Sequence, residues 1–157
     1  MSRNYSSDIA GMVRRFLDDD NWRYKFDSDN GIFQFDLTLE GKLKEINYKI
    51  IINNYSYNVY GFCPMNADEG CRAQMSEFVL RANYGLKNGN FELDVRDGEL
   101  RFKTYVDCDG SQIGSETIKN SIYTVARMFI RYEPGILAVL FGLKSAEQAV
   151  ADCEKDN

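Results

Sequence analysis

The chain has 157 residues, of which 44% are hydrophobic and 27% charged, with only 2 prolines; this is the composition of one globular domain, and it excludes collagen-like, Pro-rich and highly charged disordered classes. A domain of this size buries roughly 70% of its unfolded surface, enough for a core that needs neither metal nor disulfide. The net charge of −5, with 24 acids against 19 scattered bases, weighs against nucleic acid, which requires clustered Lys and Arg to displace phosphate counterions, and against anionic membrane surfaces.

The opening segment MSRNYSSDIAGMVRRFLDDD has no apolar run of signal-peptide length. The longest apolar stretch, GILAVLFGL, is far shorter than a membrane span. Cys63, Cys71, Cys108 and Cys153 form neither CxxC nor a zinc-type cluster. They are expected to be free thiols in a cytoplasmic protein.

Residues 7–20 predict a helix capped by Ser6 or Ser7, with Ile9, Met12, Val13, Phe16 and Leu17 on one face. Asp18 to Asp20 oppose the helix dipole and mark its end. The hydrophobic period then changes from 3.6 to 2. Trp22, Tyr24 and Phe26 alternate with Arg23, Lys25 and Asp27, and DSDNG supplies a turn. Phe33, Phe35, Leu37 and Leu39 form the next apolar face, followed by a turn at Glu40-Gly41-Lys42. Ile46, Tyr48, Ile50 and Ile52 mark a third strand, Asn53-Asn54 closes a hairpin, and SYNVYGFC makes a fourth. Together these predict a meander of four antiparallel strands.

Helical spacing returns over residues 68–84, with Cys71, Met75, Phe78, Val79 and Ala82 on a stripe, Asn66 or Asp68 as cap, and Gly85 as terminator. In NGNFELDVRDGELRFKTYVD, Phe91, Leu93 and Val95 are expected to face the core. Asp97-Gly98 is the signature of a two-residue type I′ turn, and Arg101 and Lys103 return opposite the acids of the outgoing strand. From Ser115 to about Leu143 the pattern is helical, but an interior proline costs about 3 kcal/mol; Pro134 therefore predicts two segments, the second being GILAVLFGL. Ser145 to Gln148 is a capping box opening a short tail helix, whose Ala146, Ala149, Val150 and Cys153 can touch the body. The fold class is α+β, an antiparallel sheet with helices in the order α-β4-α-β2-α plus a short C-terminal helix.

No constellation supports catalysis. The chain has no His, which removes the usual acid/base at neutral pH, most Ser and Cys triads, and the commonest ligands of catalytic zinc. Cys71 lies near a helix start, where a thiol can be activated; without a base to pair with, it reads as a small buried hydrophobe. DSDNG and DCDG hint at calcium loops, but an EF-hand needs Gly at position six and Glu at twelve. Counted from Asp27 those positions are Ile32 and Thr38; from Asp107 they are Gln112 and Ile118. Both stretches read as turns. GxxxxGK[ST] and GxGxxG do not occur, so no cofactor is expected.

Tyrosine is the one residue type whose placement points to recognition. Tyr55, Tyr57 and Tyr60 lie on the fourth strand and Tyr48 on its neighbour; alternation groups Tyr55 with Tyr57 and sets Tyr60 on the other face. Tyr suits partner surfaces, with a broad apolar ring and a polar tip, and is equally a favoured strand residue.

The run FVLRANYGLKNGNFELDVRDGELRFKTYVD, a helix carrying RYEPGILAVLFG, and KSAEQAV resemble the YbjN-like family, which is grouped structurally with type III secretion chaperones. The features that match are Asn83 and Leu86 at the helix exit, Gly89-x-Phe91, the Asp97-Gly98 turn, and Tyr132 with Pro134; they span residues 74–150. The resemblance implies a secretion-chaperone-like α+β fold, often dimeric, without catalytic machinery, in a family that includes proposed sensory or regulatory modules. The expected function is a non-enzymatic, homodimeric module of chaperone-like or regulatory character that binds an extended or amphipathic protein segment. A sensory or structural assembly module without a client and an uncharacterised hydrolase or metal-dependent enzyme are the alternatives.

Overall fold

The computed structural model describes residues 4–155. Helix α1 (Ser7–Asp19) begins where the Ser6 hydroxyl accepts the Ile9 amide hydrogen. Four strands follow: β1 (Lys25–Asp27), β2 (Ile32–Thr38), β3 (Glu45–Ile52) and β4 (Ser56–Phe62). Helix α2 (Arg72–Asn83), strands β5 (Asn90–Leu93) and β6 (Leu100–Asp107), and helices α3 (Ser115–Leu140) and α4 (Ala146–Glu154) complete the chain. The strands form one antiparallel sheet in the order β1-β2-β3-β4-β6-β5, so the β5–β6 hairpin joins the four-stranded meander through β6 lying beside β4.

The period of 2 divides the sheet into two faces. Phe33, Phe35, Ile46, Tyr48, Ile50, Tyr57, Val59, Leu100 and Phe102 point inward and are buried. Helix α3 lies across β4 and β6, and α1 packs beside it. Aromatic contacts knit this layer: Phe35 stacks on Tyr48 at 4.9 Å, and Phe91 meets Phe102, Phe129 and Tyr132 edge-on. A polar seam runs through it. Tyr48 Oη donates to the Ile122 carbonyl at 2.9 Å, Tyr57 Oη lies 3.0 Å from Ser121 Oγ, and Thr104 Oγ1 donates to the Ser121 carbonyl. Every buried side-chain polar atom among the described residues has a partner, as burial requires.

Several sequence expectations change in the folded chain. The first strand is only three residues long, because Trp22 leaves the ladder to pack on Phe35 and Tyr123. Helix α2 starts at Arg72 rather than at residue 68; Asp68 instead accepts the Cys71 amide hydrogen in the turn before it. The β5–β6 connection is not a two-residue turn. Pairing ends at Leu93–Leu100, Gly98 N donates to the Asp94 carbonyl, and Asp94 N donates to the Glu99 carbonyl. Only Gly98 in that loop has positive φ, at 79°, whereas a type I′ turn needs it at two positions. Gly98 also lies so close to Ala67 that an added Cβ would overlap the Ala67 carbonyl. Val95 therefore sits in the loop, 63% exposed, not in the core.

Pro134 does not divide the last long helix, which is continuous over 26 residues. Ile136, Ala138 and Val139 are buried beyond it, and the Tyr132 hydroxyl donates to Glu154 on α4; this packing outweighs the local cost of the proline. The tail helix is capped as its sequence indicates, with Gln148 N donating to Ser145 Oγ at 3.2 Å.

The edge of the sheet is closed by a side chain. Asn83, the last residue of α2, accepts the Phe91 amide hydrogen through Oδ1 at 2.7 Å and donates from Nδ2 to the Phe91 carbonyl at 2.9 Å. Its amide imitates the next strand's backbone, the kind of cover that edge strands need. A second long-range clamp joins the β2–β3 loop to α3: both Glu133 carboxylate oxygens accept backbone hydrogens, from Lys42 and Leu43, each at 2.9 Å.

Candidate partner-binding face

No outward-pointing strand residue is buried, so this face of the sheet is open. Its centre is β4, where Tyr60 and Phe62 point outward with ring centroids 6.3 Å apart. Cations from the neighbouring strands lie over both rings: the Arg101 guanidinium is 4.5 Å from the Tyr60 centroid and Lys49 Nζ is 5.5 Å from that of Phe62. The ring quadrupole attracts each charge. Glu92 on β5 pairs with Arg101 at 3.0 Å and Lys103 at 3.3 Å. The result is an aromatic pair framed by bases, presented on a rigid sheet and partly wet, which is the composition of recognition surfaces.

The four tyrosines singled out in the sequence do not share a surface. Tyr48 and Tyr57 belong to the core, anchored by their hydroxyls to α3. Burial raises the Tyr48 hydroxyl above its ordinary value and pushes that of Tyr57 up to about 12. Tyr55 lies in the β3–β4 turn and is 68% exposed, so it is not on the Tyr57 face. Tyr60 is on the open face. Lys49, Phe62 and Arg101 complete that cluster and were missed as a group. Lys49 reaches the cluster through the β3–β4 hairpin, whereas Arg101 depends on β4 pairing with β6, a contact between strands separated in sequence by α2 and β5.

The remaining chemistry is quiet. All four cysteines are free thiols. Burial pushes the Cys63 thiol up to about 11 and raises those of Cys71, Cys108 and Cys153; in Cys71 the neighbouring Asp68 adds to the effect. A raised thiol is a poor nucleophile at neutral pH. The DSDNG stretch is a turn whose Asp27 carboxylate accepts the amide hydrogens of Asp29 and Asn30. Among the described residues no group of three His, Cys, Asp or Glu side chains could hold a metal ion, and no helix is long and apolar enough to cross a membrane.

The architecture is that of a solved protein. The crystal structure of YbjN from E. coli, described as "a putative transcription regulator", superposes with a TM-score of 0.59, covering 79% of this chain and 90% of that one at 11% identity. At that identity the likeness concerns the fold. Among curated proteins none matches. The family described as "Putative bacterial sensory transduction regulator" matches residues 10–138, a description of a regulator rather than of an enzyme. With most of its length, including α3 nearly to its end, inside that match, the chain belongs to the YbjN family.

Proposed function

We propose that this protein is a single-domain, non-catalytic regulatory module of the cytoplasm, that it works as a homodimer, and that it binds a protein partner on the open face of its sheet. The observation that carries this reading is the Tyr60–Phe62 pair, held outward under Lys49 and Arg101. Aromatic rings exposed on a rigid strand contribute contact area at low entropic cost. The family's description as a regulator agrees with it, as does the raised state of the thiols. Chaperone-like handling of an extended segment is the mode of binding that such a face suits.

The test uses cross-linking from a photoreactive residue at position 58, beside Tyr60, followed by identification of the partner and titration with the purified partner. Y60A/F62A should weaken binding at least tenfold while the thermal midpoint stays within a few degrees. Equal affinity for the variant and the parent protein would remove the open face from the function.

One observation favours a second reading, an assembly module without a client. Leu80 of α2 is 74% and Tyr84, just past its end, 91% exposed, and with Val150 and Ala151 of α4 they line a shallow depression that Arg81, Glu147 and Glu154 also border. These exposed apolar side chains with a charged border are the candidate surface for self-association. Sedimentation equilibrium should give twice the mass of one chain, and L80E/Y84S should halve it. A monomer at every concentration would eliminate both the dimer and this alternative.

A further inference from the structure

The open face carries a pattern visible only once the strand register is known. Lys25, Gln34, Lys49, Tyr60, Lys103 and Asn90 stand side by side across all six strands. In a chain of net charge −5, this row holds three lysines and no acid. The acids of the two adjacent rows are engaged there, and Glu45 and Asp107 stand further out. Asp27 holds the turn that follows it, Asp36 accepts from Asn47 Nδ2, and Glu92 pairs with Arg101 and Lys103. Among the described residues neither Lys25 nor Lys49 has an ion-pair partner, whereas Lys103 shares Glu92 with Arg101, and an incoming carboxylate takes the place of Glu92 on that lysine.

The lysines occupy alternate strands. With neighbouring strands about 4.8 Å apart, they repeat at roughly 9.6 Å. A polyproline II segment rises about 3.1 Å per residue with three residues per turn, so every third side chain falls on one side at roughly 9.3 Å. The two repeats coincide, and Tyr60 and Phe62 provide the aromatic surface on which such segments dock. We propose that the open face binds an acidic, extended protein segment laid across the strands, with a carboxylate at every third residue meeting Lys25, Lys49 and Lys103 in turn. This rests on the reading of the open face as the partner surface and assigns that partner its chemistry.

The probe is a fluorescein-labelled (Glu-Pro-Pro)4 peptide, followed by anisotropy in low salt. Its companions are (Lys-Pro-Pro)4, a peptide of identical composition with the four glutamates contiguous, and an oligothymidylate of matched charge. The expected result is saturable binding of (Glu-Pro-Pro)4 that weakens as salt rises. K25E/K49E should reduce affinity at least tenfold, K49Q severalfold, and the contiguous-glutamate peptide should bind severalfold less well. Circular dichroism on each variant checks the fold; because Lys25 is exposed at the sheet edge, K25E alone serves should the double variant be unstable. No saturable binding, equal binding to the charge-reversed protein, or equal binding of the contiguous peptide would each overturn the proposal. Tighter binding of the oligothymidylate would replace it with a single-stranded nucleic-acid surface. The two readings fail separately. If the purified partner still depends on Tyr60 and Phe62 while every acidic peptide is ignored, the surface survives and its assigned ligand does not.

Discussion

Tyr57 and Tyr60 are three residues apart on β4 and live in different solvents. Tyr57 faces α3 with Tyr48, Phe102 and Val59 around the same inner surface, and its hydroxyl is tied to Ser121. Tyr60 faces outward beneath a guanidinium. On the inner side the ring contributes burial and its hydroxyl must be paired because no water reaches it. On the outer side the same ring keeps one surface available, and the cations over it hold an arrangement that a ligand could exploit. One strand thus separates what stabilises the fold from what the molecule presents, so substitutions on the two faces should differ in kind.

The sharpest way to break that contrast is truncation on the inner side. Tyr57→Ala removes a buried ring and should cost about 3–5 kcal/mol, read as a shifted urea midpoint with unchanged slope. A cost below about 1 kcal/mol would mean that the two faces are not energetically distinct. Next comes overpacking. Gly61 lies on the inner side where α3 crosses β4, and an added Cβ would collide with Val125 and touch Ile46. Gly61→Ala should destabilise by about 1–3 kcal/mol, while the outward Asn58→Ala, on the same strand, should change stability by less than about 0.5 kcal/mol.

A smaller effect isolates the Tyr57 hydroxyl. Its folded value of about 12 lies above the ordinary 10.0, so the unfolded chain loses this proton first. The contribution is complete below pH 10 and is lost as pH rises towards 12. Tyr57→Phe should cost about 1 kcal/mol at neutral pH and flatten the fall in stability across that alkaline window, measured by denaturation at stepped pH. Tyr60→Ala, on the outer face, is expected to change stability by no more than about 1 kcal/mol. It should nonetheless abolish most peptide affinity, and a large loss of stability without loss of binding would reverse the assignment of the two faces.

Much of this was readable from residues alone. The alternation in IFQFDLT and INYKIII gave strands, Ser6 and Ser145 marked helix starts, and Asn83 and Gly89-x-Phe91 pointed to the family. The open face was half-legible: Ser56 and Asn58 share Tyr60's side of β4, a polar pattern that marks it as outward, whereas Val59 and Gly61 share Tyr57's. Tyr48 shares its side with Ile46, Ile50 and Ile52, a core pattern that its grouping with the recognition tyrosines overlooked. What local pattern could not supply was register. Lys49 meets Tyr60 through the local β3–β4 hairpin, but Lys103 joins them only through β4–β6 pairing, which follows from tertiary packing under α3. Tertiary contacts also explain two of the local misreadings. Pro134 is carried through a helix because its flanks are buried, and Asp97-Gly98 opens into a longer loop because Gly98 must sit against Ala67.

The Asn83 amide has a bearing on how copies of this molecule can meet. An approaching β-strand from another chain would find the hydrogen-bonding valence at Phe91 already filled, and at the far margin β1 offers only three residues as a template. Runaway strand-on-strand growth into fibrils is thereby discouraged at both margins. That leaves side-chain surfaces, where contacts close after a fixed number of subunits, as the route by which two copies would meet.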